Sequence, residues 1–354
     1  MVHHSLRRGV ARRNVVVAVV IVTLLAGLIV TGIMRVRELA GRSSSTNNLK
    51  QIGLGFHSHN DTAYYLPFNG GHTDPDKLKE MNYGWHNPNF RDTGTWAMMI
   101  HPFMECDPLY RSVVLIGESN DKVPGYLSQT GNNADWQVTF KYYVCPDRAR
   151  LGYKTSSANG SMPGVVTDYA INVFLNDPPR TYTAVGEPME ACFALSGGLA
   201  SAANSRMTIQ GIFQGANNCI MVGGKALSPK LAASLDANHG DEGIFSPGHY
   251  TAAGADSKVI STGTGRGHRI DPAMRLNTDQ DVNPASGGVP WMHRDSELYG
   301  STIPDFASDW GGPFKSGVLF LFADGTVRSV PYDLRGTVQF ARMLYAPQKL
   351  VPIE

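Results

Sequence analysis

One apolar run near the start of the chain constrains it more than any other feature. Twenty residues, Val15 to Met34, carry no charge, with Arg7, Arg8, Arg12 and Arg13 before them and Arg35 and Arg37 after. At a helical rise of about 1.5 Å per residue such a run spans about 30 Å, the thickness of a bilayer's hydrocarbon core. A cleaved signal peptide would have a shorter apolar region and a small-x-small cleavage site. Here the run ends in Thr31-Gly32-Ile33-Met34-Arg35 and continues into helix-compatible sequence. We read it as a retained anchor held in membrane lipid through Val15 to Met34. The heavier arginine flank precedes the span, so the positive-inside rule predicts a cytoplasmic tail over residues 1–14, a transmembrane helix over 15–34, and the remainder outside the cytoplasm, in the periplasm or at the cell surface.

Composition narrows what the exported part does. A formal charge of +1 with 17% charged residues offers no field for nucleic acid. The 38 glycines and 21 prolines fall in short turn-like clusters such as Asn69-Gly70-Gly71, Asn159-Gly160 and Ser286-Gly287-Gly288, a pattern of many strands joined by loops. The four cysteines, Cys106, Cys145, Cys192 and Cys219, all lie beyond the anchor, where an oxidising compartment permits disulfides in any of three pairings. No CxxC is present, which argues against a thiolate zinc site.

Beyond Met34 the helix is expected to continue over residues 35–66, because Leu49, Ile52, Phe56 and Ala63 recur at helical spacing. Gly53 and Gly55 each weaken it by about 1 kcal/mol relative to alanine, so docking on a sheet must hold it. Leu66-Pro67 supplies the stop. Residues 67–354 then form the extracytoplasmic domain. Val138, Phe140, Tyr142 and Val144 alternate with polar neighbours and predict a strand, and Cys219 to Val222 predicts another, closed by Gly223-Gly224. Trp96 to Tyr110 is an apolar block. Residues 226–312 are polar and rich in Gly, Asp, Asn and Ser, and read as a loop-rich insertion. Val318 to Ala323 and Thr326 to Val330 flank Asp324-Gly325, a strong hairpin signal. A closing helix is expected from Leu334 to Tyr345, capped by Asp333, with Leu334, Val338, Ala341 and Tyr345 on one face.

The order of these motifs resembles the prepilin-like DUF1559 family. Arg37-Glu38 and Asn47-Asn48-Leu49-Lys50-Gln51-Ile52-Gly53-Leu54 match its N-terminal stretch, followed by His57, Asp61-Thr62 and Pro67 at the family's spacing. Thr95-Trp96 through Pro108-Leu109-Tyr110, Cys145-Pro146-Asp147, Tyr169-Ala170-x-Asn172, and Gly215 through Met221-Val222-Gly223 resemble its middle segments. Gly311-Gly312-Pro313 and the stretch ending Leu321-Phe322-Ala323-Asp324-Gly325 resemble its C-terminal His-x9-Asp-Gly motif. The resemblance implies an α+β, pseudopilin-like protein whose long N-terminal transmembrane helix packs on an antiparallel β-sheet.

Two departures make this a divergent member. The family's processed glycine falls on Gly9, but Val10-Ala11-Arg12-Arg13-Asn14 follows it in place of Phe-Thr-Leu-x-Glu. In prepilins, as the resemblance implies, that glutamate pairs with a neighbouring subunit's amine; Asn14 carries no charge to do so. The family's C-terminal histidine is replaced by Phe314. Both departures point to a chain neither processed at Gly9 nor polymerised by the usual route.

Reactive motifs are sparse. His57 and His59 are two apart on a helix and face different sides, which makes them poor joint ligands. His239, Asp241, Glu242, His249, His268, Asp271 and His293 form a loose population without zincin spacing. Gly263-Thr264-Gly265-Arg266-Gly267-His268 lacks the Lys-Ser/Thr ending of a phosphate loop. Cys145-Pro146-Asp147 reads as a strand end and turn cap, with a disulfide open to Cys145, and turn geometry alone explains Asp324-Gly325. We therefore expect no catalytic, metal or cofactor-binding residues and no cofactor. The function expected is an envelope protein with a structural or interaction role, through envelope partners or self-association. Two rival classes remain: a solute- or glycan-binding protein using Trp85, Trp136, Trp291 and Trp310, and a metal-dependent hydrolase using the insertion's histidines.

Overall fold

The computed structural model describes residues 7–64, 66–67, 96–104, 140–157, 164–172, 208–212, 215–237, 241, 243–244, 265–266, 292–298 and 309–345. They divide into two units, Met1–Ser44 and Ser45–Glu354. Helix α1 is Arg7–Ala63. In the first unit every described residue from Asn14 to Arg37 is exposed. The polar groups of this stretch are satisfied within the helix: Thr23 donates to the carbonyls of Val19 (3.0 Å) and Val20 (2.9 Å), and Thr31 to that of Leu28 (2.9 Å). Among the described residues this is the one helix long and apolar enough to cross a membrane.

In the second unit the helix faces a five-stranded sheet. Its strands are β4 (Tyr169–Asn172), β5 (Ile220–Gly224), β7 (Gly265–Arg266), β10 (Val318–Phe322) and β11 (Val327–Val330), in the order β11-β10-β5-β4-β7. Pairings from β11 to β4 are antiparallel, and β7 joins β4 in parallel. Strand β10 is buried along its whole length because both faces of the sheet are covered. Leu319, Leu321 and Ala323 point into the core that holds Leu49, Ile52 and Phe56 of α1. Val318, Phe320 and Phe322 point the other way, into a second core with Trp310, Phe340 and Leu344.

The remaining described elements frame this sheet. They are α2 (Trp96–Ile100), β1 (Tyr153–Lys154), β2 (Ser156–Ser157), β3 (Gly164–Val165), α3 (Pro229–Ala233), β6 (Asp236–Ala237), β8 (Met292–Arg294), β9 (Trp310–Gly312) and α4 (Val338–Tyr345). Strands β1 and β3 pair antiparallel, whereas β2–β6 and β8–β9 are parallel pairs.

The expected helix face is present: Leu49, Ile52 and Phe56 are fully buried, while Ala63 is half-buried. Gly53 and Gly55 have a positive role. A Cβ on Gly53 would lie 2.9 Å from Leu321 Cδ1, and one on Gly55 would lie 3.1 Å from Ile100 Cβ, so both glycines let the helix approach closely. The Asp-Gly hairpin is also present, but only Gly325 takes a positive φ (+78°). Gly325 N–H bonds to the Phe322 carbonyl at 2.9 Å, so Ala323 and Asp324 are the turn's central residues and Gly325 follows as the left-handed residue.

Three expectations are corrected. Residues 140–144 form a turn rather than a strand, closed by Tyr143 N–H to the Phe140 carbonyl (3.0 Å), and Tyr143 is the buried residue. Cys145 and Cys219 are free, buried thiols, so neither closes a disulfide; Cys106 and Cys192 lie outside the described residues. The closing helix starts later than expected. A 3-10 turn over Tyr332–Leu334 and Gly336 at φ +70° interrupt the chain, Thr337 Oγ1 accepts from Phe340 N–H, and the buried face is Phe340 with Leu344. Within the 226–312 insertion, the described residues are built into the fold. They supply α3, β6, β7, β8 and β9, and bury Leu227, Asp241, Ile244, Met292, Leu298 and Trp310.

Candidate functional site

The densest chemistry among the described residues is a buried ionic cluster that joins the Cys145–Lys154 segment to the polar region 226–312. Cys145 precedes a 3-10 turn over Pro146–Arg148, with Pro146 at its first position and Asp147 in its first turn. Ala149 then adopts φ +45°. This left-handed residue, costly for a side chain with a Cβ, lies between two arginines that converge on one carboxylate. Arg148 Nη1 and Arg150 Nη2 both lie 2.9 Å from Asp168 Oδ1. The other oxygen, Asp168 Oδ2, accepts from Cys145 N–H at 2.5 Å.

From this hub the arginines reach outward. Arg148 forms a fork on Asp295, Nε to Oδ2 at 2.8 Å and Nη2 to Oδ1 at 3.1 Å, and also donates to the Lys225 carbonyl. Arg150 pairs with Asp241, whose Oδ2 also meets Lys154 Nζ at 3.0 Å. Lys154 further donates to the carbonyls of Leu231 (2.8 Å) and Ser234 (2.5 Å). Burial alone would raise the Asp241 carboxyl, but Arg150, Lys154 and Lys225 outweigh it and hold it far below the usual carboxylate range. Asp295 goes the other way: its burial is only partly offset by Arg148, and its carboxyl is raised. Burial disfavours charge on Arg148, yet Asp295 and Asp168 keep it firmly protonated.

This arrangement fixes chain segments. Each ion pair joins residues distant in sequence, and Asp168 and Asp295 also accept from the backbone N–H groups of Cys145 and Leu227. The neighbouring thiol is inert, since burial pushes Cys145 up to about 11 and its Sγ lies 3.2 Å from Ser45 Oγ. Cys219 is likewise pushed up to about 12 by burial.

The family-motif positions converge around this core. Asn48 Nδ2 donates to the carbonyls of Lys141 and Val144, both at 3.0 Å, tying α1 to the turn before Cys145. Leu49, Ile52 and Gly53 face the sheet, while Asn47, Lys50 and Gln51 are exposed. His57 Nε2 would lie 3.4 Å from a Cβ on Gly325, so the N-terminal and C-terminal motifs meet there. Asp324 accepts from Thr326 N–H (2.9 Å), Thr326 Oγ1 (2.6 Å) and Arg328 Nη2 (2.8 Å). Slight burial would raise its carboxyl, but these partners hold it below the usual range. Asn172 donates to the carbonyls of Ile220 (2.9 Å) and Leu344 (2.7 Å), pinning the end of α4 to the sheet. Gly9 lies within α1, and Asn14 is exposed.

Other candidates resolve differently. Trp310 is fully buried, with its ring 5.3 Å from that of Phe320, and lines no surface. Asp241 belongs to the ionic cluster, and His293 Nε2 lies 3.0 Å from Asp309 Oδ2. Gly265–Arg266 is an edge strand. His59 is buried with its ring edge-on to Phe103. Trp85, Trp136, Trp291, His239, Glu242, His249, His268 and Asp271 lie outside the described residues. Phe314, where the family resemblance places a histidine, is buried in the helix-side core. Sequence reasoning missed Arg148, Arg150, Lys154, Asp168, Lys225 and Asp295. The available signal was the pair of arginines two apart directly after Cys-Pro-Asp.

The model of a protein family of unknown function, DUF1559, matches residues 34–335. The chain belongs to the DUF1559 family. The DUF1559 match begins at the end of the apolar run and closes just past the Asp324-Gly325 hairpin, so it takes in the helix motif, the ionic cluster and the sheet. No curated protein and no solved structure matches the chain.

Proposed function

We propose that this DUF1559 protein is a single-pass, membrane-anchored, pseudopilin-like component of the cell envelope. In this reading its folded unit lies outside the cytoplasm and acts through structure or interaction rather than catalysis. The observation that carries the reading is helix α1. Its first part exposes an uninterrupted apolar surface, and its continuation supplies Leu49, Ile52 and Phe56 to the domain core. An anchor that is also a core element ties the fold to the membrane without a linker. The arginine flanks orient it with the tail inside. The ionic cluster supports a structural role, because Arg148, Arg150 and Lys154 form ion pairs with Asp168, Asp241 and Asp295 from distant parts of the chain. The binding and hydrolase readings gain nothing from Trp310, Asp241 or His293, whose side chains are buried or paired.

The test is fractionation of cells making the full-length chain, followed by protease treatment of spheroplasts. We expect the protein in the membrane pellet after carbonate extraction, and a folded unit open to external protease. A soluble, shortened species would overturn the anchor, and protection from external protease would overturn the orientation. The same reading has the arginine tail retained past Gly9. N-terminal sequencing of the extracted protein is expected to find no chain beginning at Val10.

A further inference from the structure

The uncharged run ends at Met34, but the exposed apolar surface does not. Val36 and Leu39 are 66% and 62% exposed, as open as Leu28 and Met34 within the run. Arg35 and Arg37, which alternate with them, are also exposed and have no side-chain partner among the described residues. At about 100° per residue, Arg35 and Arg37 point to nearly opposite sides of the helix, with Val36 and Leu39 between them. Glu38, half-buried, lies on the remaining face. The surface that the two arginines bracket continues the exposed apolar run without a break, which fits an environment that is apolar up to a level and anionic at it.

Length sets that level. From Val15 to Leu39 the helix rises about 37 Å, more than the roughly 30 Å hydrocarbon core but within the 40–45 Å that includes the headgroups. Arginine stems can lie along acyl chains while the guanidinium reaches a phosphate, which it matches with paired N–H donors. Building on the anchor reading above, we propose that Arg35–Leu39 occupies the headgroup layer of the outer leaflet. There Arg35 and Arg37 bind the phosphates of separate anionic phospholipids, and Val36 and Leu39 are buried among the upper acyl chains. The membrane-embedded segment therefore reaches past the two arginines that close the uncharged run.

The experiment is native mass spectrometry of the full-length chain in detergent, titrated with phosphatidylglycerol or phosphatidylcholine. The wild-type chain is compared with Arg35→Gln/Arg37→Gln and with Lys50→Gln/Lys315→Gln, which removes the same charge from exposed positions elsewhere. We expect the arginine variant to lose about five- to tenfold in preference for phosphatidylglycerol, and the lysine variant to match wild type. Equal retention by the arginine variant would overturn the proposal, as would an equal loss in the lysine variant, which would show a net-charge effect. Carbonate extraction separates the two readings: a chain that stays in the membrane yet shows no arginine effect contradicts only the headgroup contact, whereas a chain released by carbonate contradicts the anchor itself.

Discussion

Two regions of the folded unit are held by different physics. On the helix side, α1 packs through Leu49, Ile52 and Phe56 against Trp96, Tyr143 and Leu321, with Phe56 and Trp96 rings 5.7 Å apart. In the ionic cluster, the segments that carry Lys225, Asp241 and Asp295 are fastened through those residues to Arg148, Arg150 and Lys154. Apolar packing is tolerant, because one lost side chain leaves its neighbours in contact. A buried ion cluster is not, because one lost partner strands opposite charges out of water. A polar stretch can thus be built into a core without apolar periodicity, at the cost of depending on a few residues.

The largest expected effect follows from that contrast. Asp168→Ala leaves two buried guanidiniums without their shared carboxylate and is expected to destabilise the fold by about 3–5 kcal/mol, read by urea unfolding. Ile52→Ala, in the apolar half, is expected to cost about 2–4 kcal/mol. If Ile52→Ala proved the more damaging by a wide margin, the contrast would be broken.

Acid sharpens it further. His101 sits among Tyr143, Phe140 and Met104, and burial lowers its pKa to about 4, opposed in part by its bond to the Ala97 carbonyl. The folded state therefore favours the neutral ring. Its contribution is complete above about pH 6.5 and falls as pH drops from there towards 4, by about 2–3 kcal/mol. His101→Gln is expected to flatten that part of a stability–pH curve, measured by thermal unfolding. The smallest effect belongs to the hairpin. Asp324→Ala removes its bonds to Thr326 and Arg328 at an exposed turn and is expected to cost about 1 kcal/mol.

The same division explains what the sequence disclosed. The α1 face was legible because burial on a helix repeats at three and four residues, and the hairpin because Asp324-Gly325 has few other uses. The strand expected at 138–144 failed because Phe140, Tyr142 and Val144 alternate in a turn whose buried residue is Tyr143. The closing helix was misplaced because Gly336 at φ +70° restarts the chain and hands the cap to Thr337. The ionic cluster left almost no trace. Buried charges follow no periodicity, and Asp168, Asp241 and Asp295 meet only through pairings across 18 to 147 residues of sequence. Asp241 and Asp295, part of the polar composition of 226–312, are among the means by which its described segments are held.

Hydrogen exchange on the full-length Asp168→Ala protein below its unfolding midpoint tests this account most directly. We predict that peptides covering 225–237 and 292–298 lose protection while those covering 45–63 and 318–330 keep it. Simultaneous loss of protection in all four, or unchanged protection in 225–237 and 292–298, would contradict the claim that charge fastens these segments while apolar packing fastens the helix to the sheet.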